Sequence, residues 1–191
     1  MNQKNLLEVD WSQIPAPTDD GAAVHLVGMT IPPVSLVATN DTLVTLASLP
    51  GRTVVFAYPR TGEPGKISLV EDWDMIPGAR GCTPQTCSFR DLFAELRAAG
   101  AAQVFGLSTQ SNAYQTEMAS RLHLPFPVLS DEKLELARAL ELPTMEVAGL
   151  TLIKRMAFIV DDGRIGRVFY PVFPPDRNAG DVLAWLKDNP V

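Results

Sequence analysis

The chain contains two cysteines, Cys82 and Cys87, within the segment Gly-Cys-Thr-Pro-Gln-Thr-Cys that follows a loop rich in glycine and proline. A cysteine thiolate is a nucleophile, and a pair of thiols can form and exchange a disulfide. In a reducing cytosol such a disulfide is usually transient and serves catalysis or redox sensing. The pair therefore predicts sulfur redox chemistry. The alternative is that both cysteines are small buried core residues.

The residues that follow place the pair at the start of a helix. Apolar residues recur at the helical spacing i, i+3, i+4 and i+7: Phe89, Leu92, Phe93 and Leu96. Gly100 can end this helix. If it begins near Thr83, Cys82 lies at its mouth and Cys87 lies more than a turn inside. Unpaired backbone N–H groups and the positive end of the helix dipole stabilise a thiolate at the mouth, so Cys82 is the better placed nucleophile.

The spacing of the two cysteines restricts how they can form a disulfide. Residues five apart on an intact α-helix are separated by about 7.5 Å of rise and point about 140° apart. A disulfide needs Cα atoms within about 7 Å and converging Cβ atoms. A bond between Cys82 and Cys87 would therefore require the first turn of the helix to unwind, which makes the pair a conformational switch.

The segment from Gly81 to Asp91 resembles the active site of peroxiredoxins, in particular the PrxQ (bacterioferritin comigratory protein) branch. The likeness runs from about Gly28 to the last helix and includes the segments Phe-Ala-Tyr-Pro at 56–59 and Arg-Met-Ala-Phe-Ile-Val at 155–160. It implies a thiol-dependent peroxidase that reduces hydrogen peroxide or organic hydroperoxides. The enzyme would use no cofactor and would be reduced by thioredoxin or a glutaredoxin-like protein.

The resemblance also assigns roles to individual residues. Cys82 would be the peroxidatic cysteine that forms a sulfenic acid, and Cys87 the resolving cysteine that converts it to an intramolecular disulfide, as in atypical 2-Cys enzymes. Arg155 would supply a fixed positive charge to the thiolate and the transition state. Four further residues are predicted to form the substrate pocket: Tyr58, Pro59, Gly81 and Thr83.

Two positions depart from the family pattern. Ala79 stands where a threonine or serine hydroxyl normally holds the peroxide, so we expect a substitute donor, such as Thr83 or a loop N–H group. Ala79→Thr is then expected to raise kcat/KM for peroxide or to leave it unchanged. Gln85 stands where the PrxQ motif usually carries glutamate, and we expect the electrostatic role of that residue to be lost.

Composition limits the other functions open to the chain. Its 191 residues carry a formal net charge of −6 and no basic run, which argues against a nucleic-acid partner. The two histidines, His25 and His123, lack metal-ligand spacing, so no metal site is expected. The first ten residues lack the apolar core of a secretory signal, and no apolar run is long enough to span a membrane. We expect a cytoplasmic monomer or weak homodimer.

The remaining elements follow the order of an α/β thioredoxin-like fold. Residues 53–58 form a β-branched and aromatic run typical of a central strand buried on both faces. Further strands are expected at 103–108 and 126–129 and in hairpins at 35–46 and 155–170, with helices starting near Asn112, Ser130 and Asn178. We predict a central mixed sheet flanked by helices in residues 28–191. Residues 1–27 would be an extension packed on this domain, and residues 143–154 would be irregular.

A second function remains open on the residues alone. A thioredoxin-like disulfide oxidoreductase, or a redox-sensing module, would act on protein partners rather than on peroxide. Such oxidoreductases favour a Cys-x-x-Cys motif, whereas four residues separate Cys82 from Cys87. The long loop at 59–81 is expected to be functional, with Trp73 either covering the site or anchoring the loop.

Overall fold

The computed structural model describes residues 9–191, so residues 1–8 of the predicted extension lie outside the described residues. This described part of the chain contains nine strands: β1 (Ser35–Ala38), β2 (Leu43–Thr45), β3 (Arg52–Ala57), β4 (Gln103–Ser108), β5 (Val128–Ser130), β6 (Thr144–Val147), β7 (Leu150–Ile153), β8 (Met156–Asp161) and β9 (Arg164–Phe169). Seven of them form one sheet in the order β2-β1-β5-β4-β3-β8-β9. β3, β4 and β5 are parallel and the other pairings are antiparallel, which confirms the predicted mixed sheet.

Among residues 9–191, five α-helices accompany the sheet: α1 (Cys82–Asp91), α2 (Phe93–Ala98), α3 (Asn112–Arg121), α4 (Glu135–Ala139) and α5 (Asn178–Asp188). β3 is buried along its whole length, as expected for a central strand. Its side chains alternate between the two faces of the sheet. Val54 and Phe56 pack with α1, α2, α3 and α5, whereas Val55 and Ala57 pack with α4 on the opposite face. The helices thus flank both faces of the sheet.

The core packing fixes α1 on the sheet directly behind β3. Phe89 of α1 is fully buried and stacks on Phe56 of β3, with ring centroids 4.1 Å apart and planes 6° apart. Phe126 meets the edge of the Phe56 ring at 5.6 Å. Burying aromatic side chains of this size contributes on the order of 2–3 kcal/mol each. The aromatic cluster therefore holds the body of α1 firmly, while its first turn depends on other contacts.

Residues 9–27, the described part of the predicted extension, make contacts with later parts of the chain. Leu26 is fully buried in the core on the α4 side of the sheet. Asp20 accepts hydrogen bonds from Lys154 Nζ at 2.6 Å and from Tyr170 Oη at 2.7 Å. The bond from Lys154 has the largest effect on the pKa of Asp20, and together with the bond from Tyr170 it holds that pKa well below its usual value. Within residues 9–191, none of the helices is long and apolar enough to cross a membrane.

The prediction that residues 143–154 are irregular was wrong. β6 and β7 form an antiparallel hairpin, with Val147 opposite Leu150. The two turn residues, Ala148 and Gly149, both have positive φ. An alanine is an uncommon choice at the first of these positions, where Asn or Asp is usual, so the turn lacked its ordinary sequence signal.

Two helix boundaries also differ from the prediction. The helix expected to run to Gly100 is interrupted at Leu92, whose ψ of 11° ends α1 before α2 begins. The stripe of apolar residues continues across this break because both short helices pack on the same face of the sheet. Helix α4, which was expected to start near Ser130, begins at Glu135 instead, whereas α3 begins at Asn112 as expected.

Candidate active site

Cys82 is the first residue of α1, and its sulfur is buried at the mouth of the helix. Gly81 caps the helix in a left-handed conformation, with φ of 104°. Cys82 is 3% exposed, and its Sγ lies 3.5 Å from the carbonyl oxygen of Ala79 and 3.2 Å from Nη2 of Arg155. The sulfur therefore faces both the unpaired N–H end of a helix and a guanidinium group, and both stabilise a thiolate.

Arg155 is buried and is held by the turn that precedes Cys82. Its Nη2 contacts three successive carbonyl oxygens, those of Gly78 (3.1 Å), Ala79 (3.2 Å) and Arg80 (3.0 Å). We refer to residues 78–81 as the active-site turn. Since Nη2 carries two hydrogens, these bonds are shared among the three carbonyls and the Cys82 sulfur. The guanidinium thus fixes the turn and the thiol relative to each other.

The other end of the guanidinium is held by a residue whose role the sequence did not reveal. Nη1 of Arg155 donates to Oε1 of Gln85 at 2.5 Å, and Nε2 of Gln85 donates to Oδ1 of Asn178 at 2.9 Å. Gln85 is fully buried and Asn178 is 1% exposed. Gln85 carries no charge to pair with the arginine, but its amide oxygen accepts a hydrogen bond from the guanidinium, a contact that the sequence did not predict. No ion pair of Arg155 with a carboxylate occurs within residues 9–191.

Cys87 lies one turn further along α1 and is 6% exposed. Both cysteines are free thiols. Burial is the main factor that raises the pKa of the Cys87 thiol above its usual value. The first turn between the two sulfurs is regular, and the Thr86 hydroxyl donates to the carbonyl oxygen of Cys82 at 2.9 Å. In this reduced state burial favours the neutral thiol of Cys87.

A small cavity of about 30 Å³ opens on Cys82. It is lined by residues of the long loop and of the helix mouth: Arg60, Thr61, Gly62, Trp73, Arg80, Gly81, Cys82, Thr83 and Pro84. Two of the four predicted pocket residues, Gly81 and Thr83, line this cavity. Tyr58 and Pro59 are buried and do not line it. Burial raises the pKa of the Tyr58 phenol well above its usual value, so this side chain stays neutral.

Ala79 does not line the cavity either. Its methyl group is fully buried in an apolar cluster with Trp73, Val147 and Leu152. Trp73 therefore does both things considered for it, because it anchors the loop in this cluster and also lines the cavity. A side chain at position 79 therefore faces this apolar cluster rather than the cavity at Cys82. Thr61, a residue not singled out in the sequence, lines the cavity instead.

The packing around Ala79 reverses the expectation for Ala79→Thr. Two additional heavy atoms, one of them a hydroxyl, would enter a filled apolar site, so the substitution should lower the free energy of unfolding by about 1–3 kcal/mol. Urea denaturation measures this loss, with Ala16→Thr at an exposed alanine as the control. A rise in kcat/KM for peroxide at unchanged stability would contradict this placement of the side chain.

A thioredoxin-like sheet, a cysteine at the first position of the following helix and a buried arginine on its sulfur together define a thiol redox enzyme of the redoxin class. Residues 26–183 match the Redoxin family, and the chain belongs to this family. The match includes Cys82, Cys87 and Arg155.

Relatives and solved structures narrow the class. The chain is 30% identical to the chloroplastic peroxiredoxin Q of Sedum lineare over 162 residues, which cover 84% of this chain and 77% of that protein. The crystal structure of peroxidoxin BcpB from Mycobacterium tuberculosis is similar, with a TM-score of 0.69, 26% identity and coverage of 86% of this chain and 98% of that one. The structure of peroxiredoxin Q from Xanthomonas campestris is also similar, with a TM-score of 0.64 and 25% identity. The match covers 82% of this chain and 90% of that one. The chain is thus a PrxQ-like peroxiredoxin, a thiol-dependent peroxidase.

Proposed function

We propose that the protein reduces hydrogen peroxide or a small organic hydroperoxide at Cys82, resolves the product with Cys87 and is returned to the dithiol by thioredoxin or a glutaredoxin-like protein. The observation that carries the proposal is the 3.2 Å contact between Arg155 Nη2 and Cys82 Sγ at the mouth of a buried helix. This contact places the permanent positive charge of the guanidinium next to the sulfur that must ionise.

In the first step the Cys82 thiolate attacks one oxygen of the hydroperoxide. The S–O bond forms as the O–O bond breaks, and the leaving oxygen takes up a proton and departs as water or an alcohol. Cys82 becomes a sulfenic acid, oxidised by two electrons. Arg155 stabilises the thiolate and the negative charge that develops on the leaving oxygen.

The cavity fits the reacting end of a hydroperoxide. A cavity needs at least about 10–15 Å³ to hold one water-sized group. A cavity of about 30 Å³ therefore accommodates the two oxygens of a peroxide. Oε1 of Gln110 accepts from both N–H and Oγ1–H of Thr61, at 2.9 and 3.0 Å. Because an amide oxygen can only accept, the Thr61 hydroxyl is the donor in that bond and keeps its lone pairs for a peroxide O–H. Thr83 and the first N–H groups of α1 supply donors.

In the second step the thiolate of Cys87 attacks the Cys82 sulfur. The S–S bond forms, the S–O bond breaks, and the hydroxide that leaves is protonated to water. The first turn of α1 must unwind for the two sulfurs to meet. Unwinding also exposes Cys87 to water, which removes the burial that raises its pKa and increases its thiolate fraction. An external dithiol then reduces the disulfide.

The alternative, an oxidoreductase or sensor acting on protein partners, is less compatible with the site. A protein disulfide must approach the attacking sulfur in line, whereas Cys82 is 3% exposed at the base of a cavity of about 30 Å³. The closed site excludes a substrate of that size. The cytoplasmic location and the monomeric or weakly dimeric state remain predictions from the sequence.

The proposal is tested by measuring peroxide consumption by the reduced protein with thioredoxin, with a glutaredoxin-like protein, or with neither. Hydrogen peroxide and an alkyl hydroperoxide are compared as substrates. We expect one turnover without a reductant and continuous turnover with a matching dithiol protein. No consumption of either peroxide by fully reduced protein would refute the proposal.

A further inference from the structure

Residues 9–25 precede the part of the chain that matches the Redoxin family, yet they contact the active-site turn. We propose that Trp11 in this segment is a positioning residue for the peroxidase cycle. It holds Gly81 in place and thereby sets the rate at which oxidised Cys82 leaves its pocket to meet Cys87. This inference rests on the proposed function and concerns the regulation of the same site.

Gly81 lies at the N-terminal edge of the helical turn that must unwind. It has a φ of 104° and immediately precedes Cys82. A Cβ atom built on Gly81 would lie 2.7 Å from Cη2 of Trp11 and 2.6 Å from Cγ of Pro175. These distances place both rings directly against the Gly81 Cα. The peptide units on either side of this glycine cannot swing outward unless one or both rings move.

Trp11 is itself fixed from two sides. Its indole N–H donates to Oδ2 of Asp176 at 2.9 Å, and its ring meets Phe173 edge to face, with centroids 6.0 Å apart. Both partners lie in the segment that leads into α5, which packs on α1. The indole therefore bridges the active-site turn and the α5 side of the domain. Edge-to-face aromatic contacts of this kind are net stabilising.

A second contact of the extension reinforces the first. A Cβ atom on Gly78, at the other end of the active-site turn, would lie 3.7 Å from Cβ of Pro17. Three residues further on, Asp20 is anchored to Lys154, the residue before Arg155. The extension thus lies along the outside of the turn whose carbonyls hold the guanidinium.

After the first oxidation, two reactions compete for the Cys82 sulfenic acid, and the position of Trp11 affects which is faster. While the turn stays closed, a second peroxide can oxidise the Cys82 sulfenic acid to a sulfinic acid, with an S–O bond formed and an O–O bond broken as before. Once the turn opens, attack by Cys87 removes the sulfenic acid and releases water. Trp11 favours the closed turn, so it slows resolution and raises the yield of sulfinic acid at high peroxide concentrations.

Rapid-quench mass spectrometry of the full chain after mixing with hydrogen peroxide measures both steps in one experiment. In Trp11→Ala we expect the rate of Cys82–Cys87 disulfide formation to rise about tenfold, the size expected from losing one hydrogen bond and one ring contact. The rate of sulfenic acid formation should stay within about twofold of wild type. The sulfinic acid yield at high peroxide should fall. Gln13→Ala, at an exposed residue two positions after Trp11, is the matched control.

Trp11→Phe loses the bond to Asp176 and replaces the indole by a shorter ring that extends less far toward Gly81, so an intermediate rate of disulfide formation is expected. This variant also provides the test if Trp11→Ala fails to fold. The inference is wrong if the disulfide forms no faster in Trp11→Ala than in wild type. It is also wrong if sulfenic acid formation in this variant slows by as large a factor as disulfide formation changes. If the wild-type protein itself forms no Cys82–Cys87 disulfide, the proposed resolving step fails instead, which the control protein reveals.

Discussion

Cys82→Ser is expected to lower peroxide consumption by at least about a thousandfold, to the level of the buffer. A serine hydroxyl does not ionise at neutral pH, even beside Arg155, and is a far weaker nucleophile than a thiolate. Serine differs from cysteine by one atom, so the buried site at the mouth of α1 should keep its shape. Peroxide loss followed by a colorimetric assay measures the effect.

Cys87→Ser is the matched control for this experiment, since it removes the other buried thiol of the same helix. It should retain the first oxidation at close to the wild-type rate and then stop at a sulfenic or sulfinic acid on Cys82. The assignment of the two cysteines would be reversed if Cys82→Ser still consumed peroxide while Cys87→Ser lost its first step.

Arg155→Met is expected to slow the reaction with peroxide by about 10²- to 10³-fold, the usual cost of removing one donor that stabilises transition-state charge. Methionine fills much of the same volume without charge. Arg155→Lys restores the charge but not the planar fork that reaches the Cys82 sulfur, the turn carbonyls and Gln85 together, so a loss of about tenfold should remain. Stopped-flow measurement of the first oxidation separates this effect from slower resolution.

The lysine variant distinguishes an electrostatic role of Arg155 from a structural one. If the positive charge itself stabilises the reaction, Arg155→Lys should react with peroxide about 10- to 100-fold faster than Arg155→Met. Arg167→Met, at an exposed arginine of β9, is the control for loss of one positive charge. Equal rates for Arg155→Lys and Arg155→Met would contradict an electrostatic role of Arg155.

Local sequence patterns were sufficient to predict the elements that carry the two sulfurs. The run at 53–58 marked the central strand, and the apolar stripe that begins at Phe89 placed Cys82 at a helix mouth. In both cases neighbours in sequence determine the structure, through strand burial and helical periodicity. The match between prediction and structure is close here because tertiary contacts reinforce these local preferences.

Contacts between residues distant in sequence could not be predicted in the same way. Gln85 meets Arg155 and Asn178, which lie 70 and 93 positions away, and no local pattern reports such a pairing. The contact of Trp11 with Gly81 also joins residues far apart in sequence. The burial of the Ala79 side chain likewise depends on residues of β6 and β7. The β6–β7 hairpin itself was missed because its Ala-Gly turn lacks the usual residues.

The most direct test of the account is a time course of fully reduced protein mixed with one equivalent of hydrogen peroxide, quenched at intervals and mapped by mass spectrometry. We predict a sulfenic acid on the peptide that contains Cys82, replaced within the same chain by a Cys82–Cys87 disulfide, while hydrogen exchange over residues 82–88 becomes faster than in the reduced protein. Oxidation that starts at Cys87, or that ends only in intermolecular disulfides or in a stable sulfinic acid at Cys82, would contradict it.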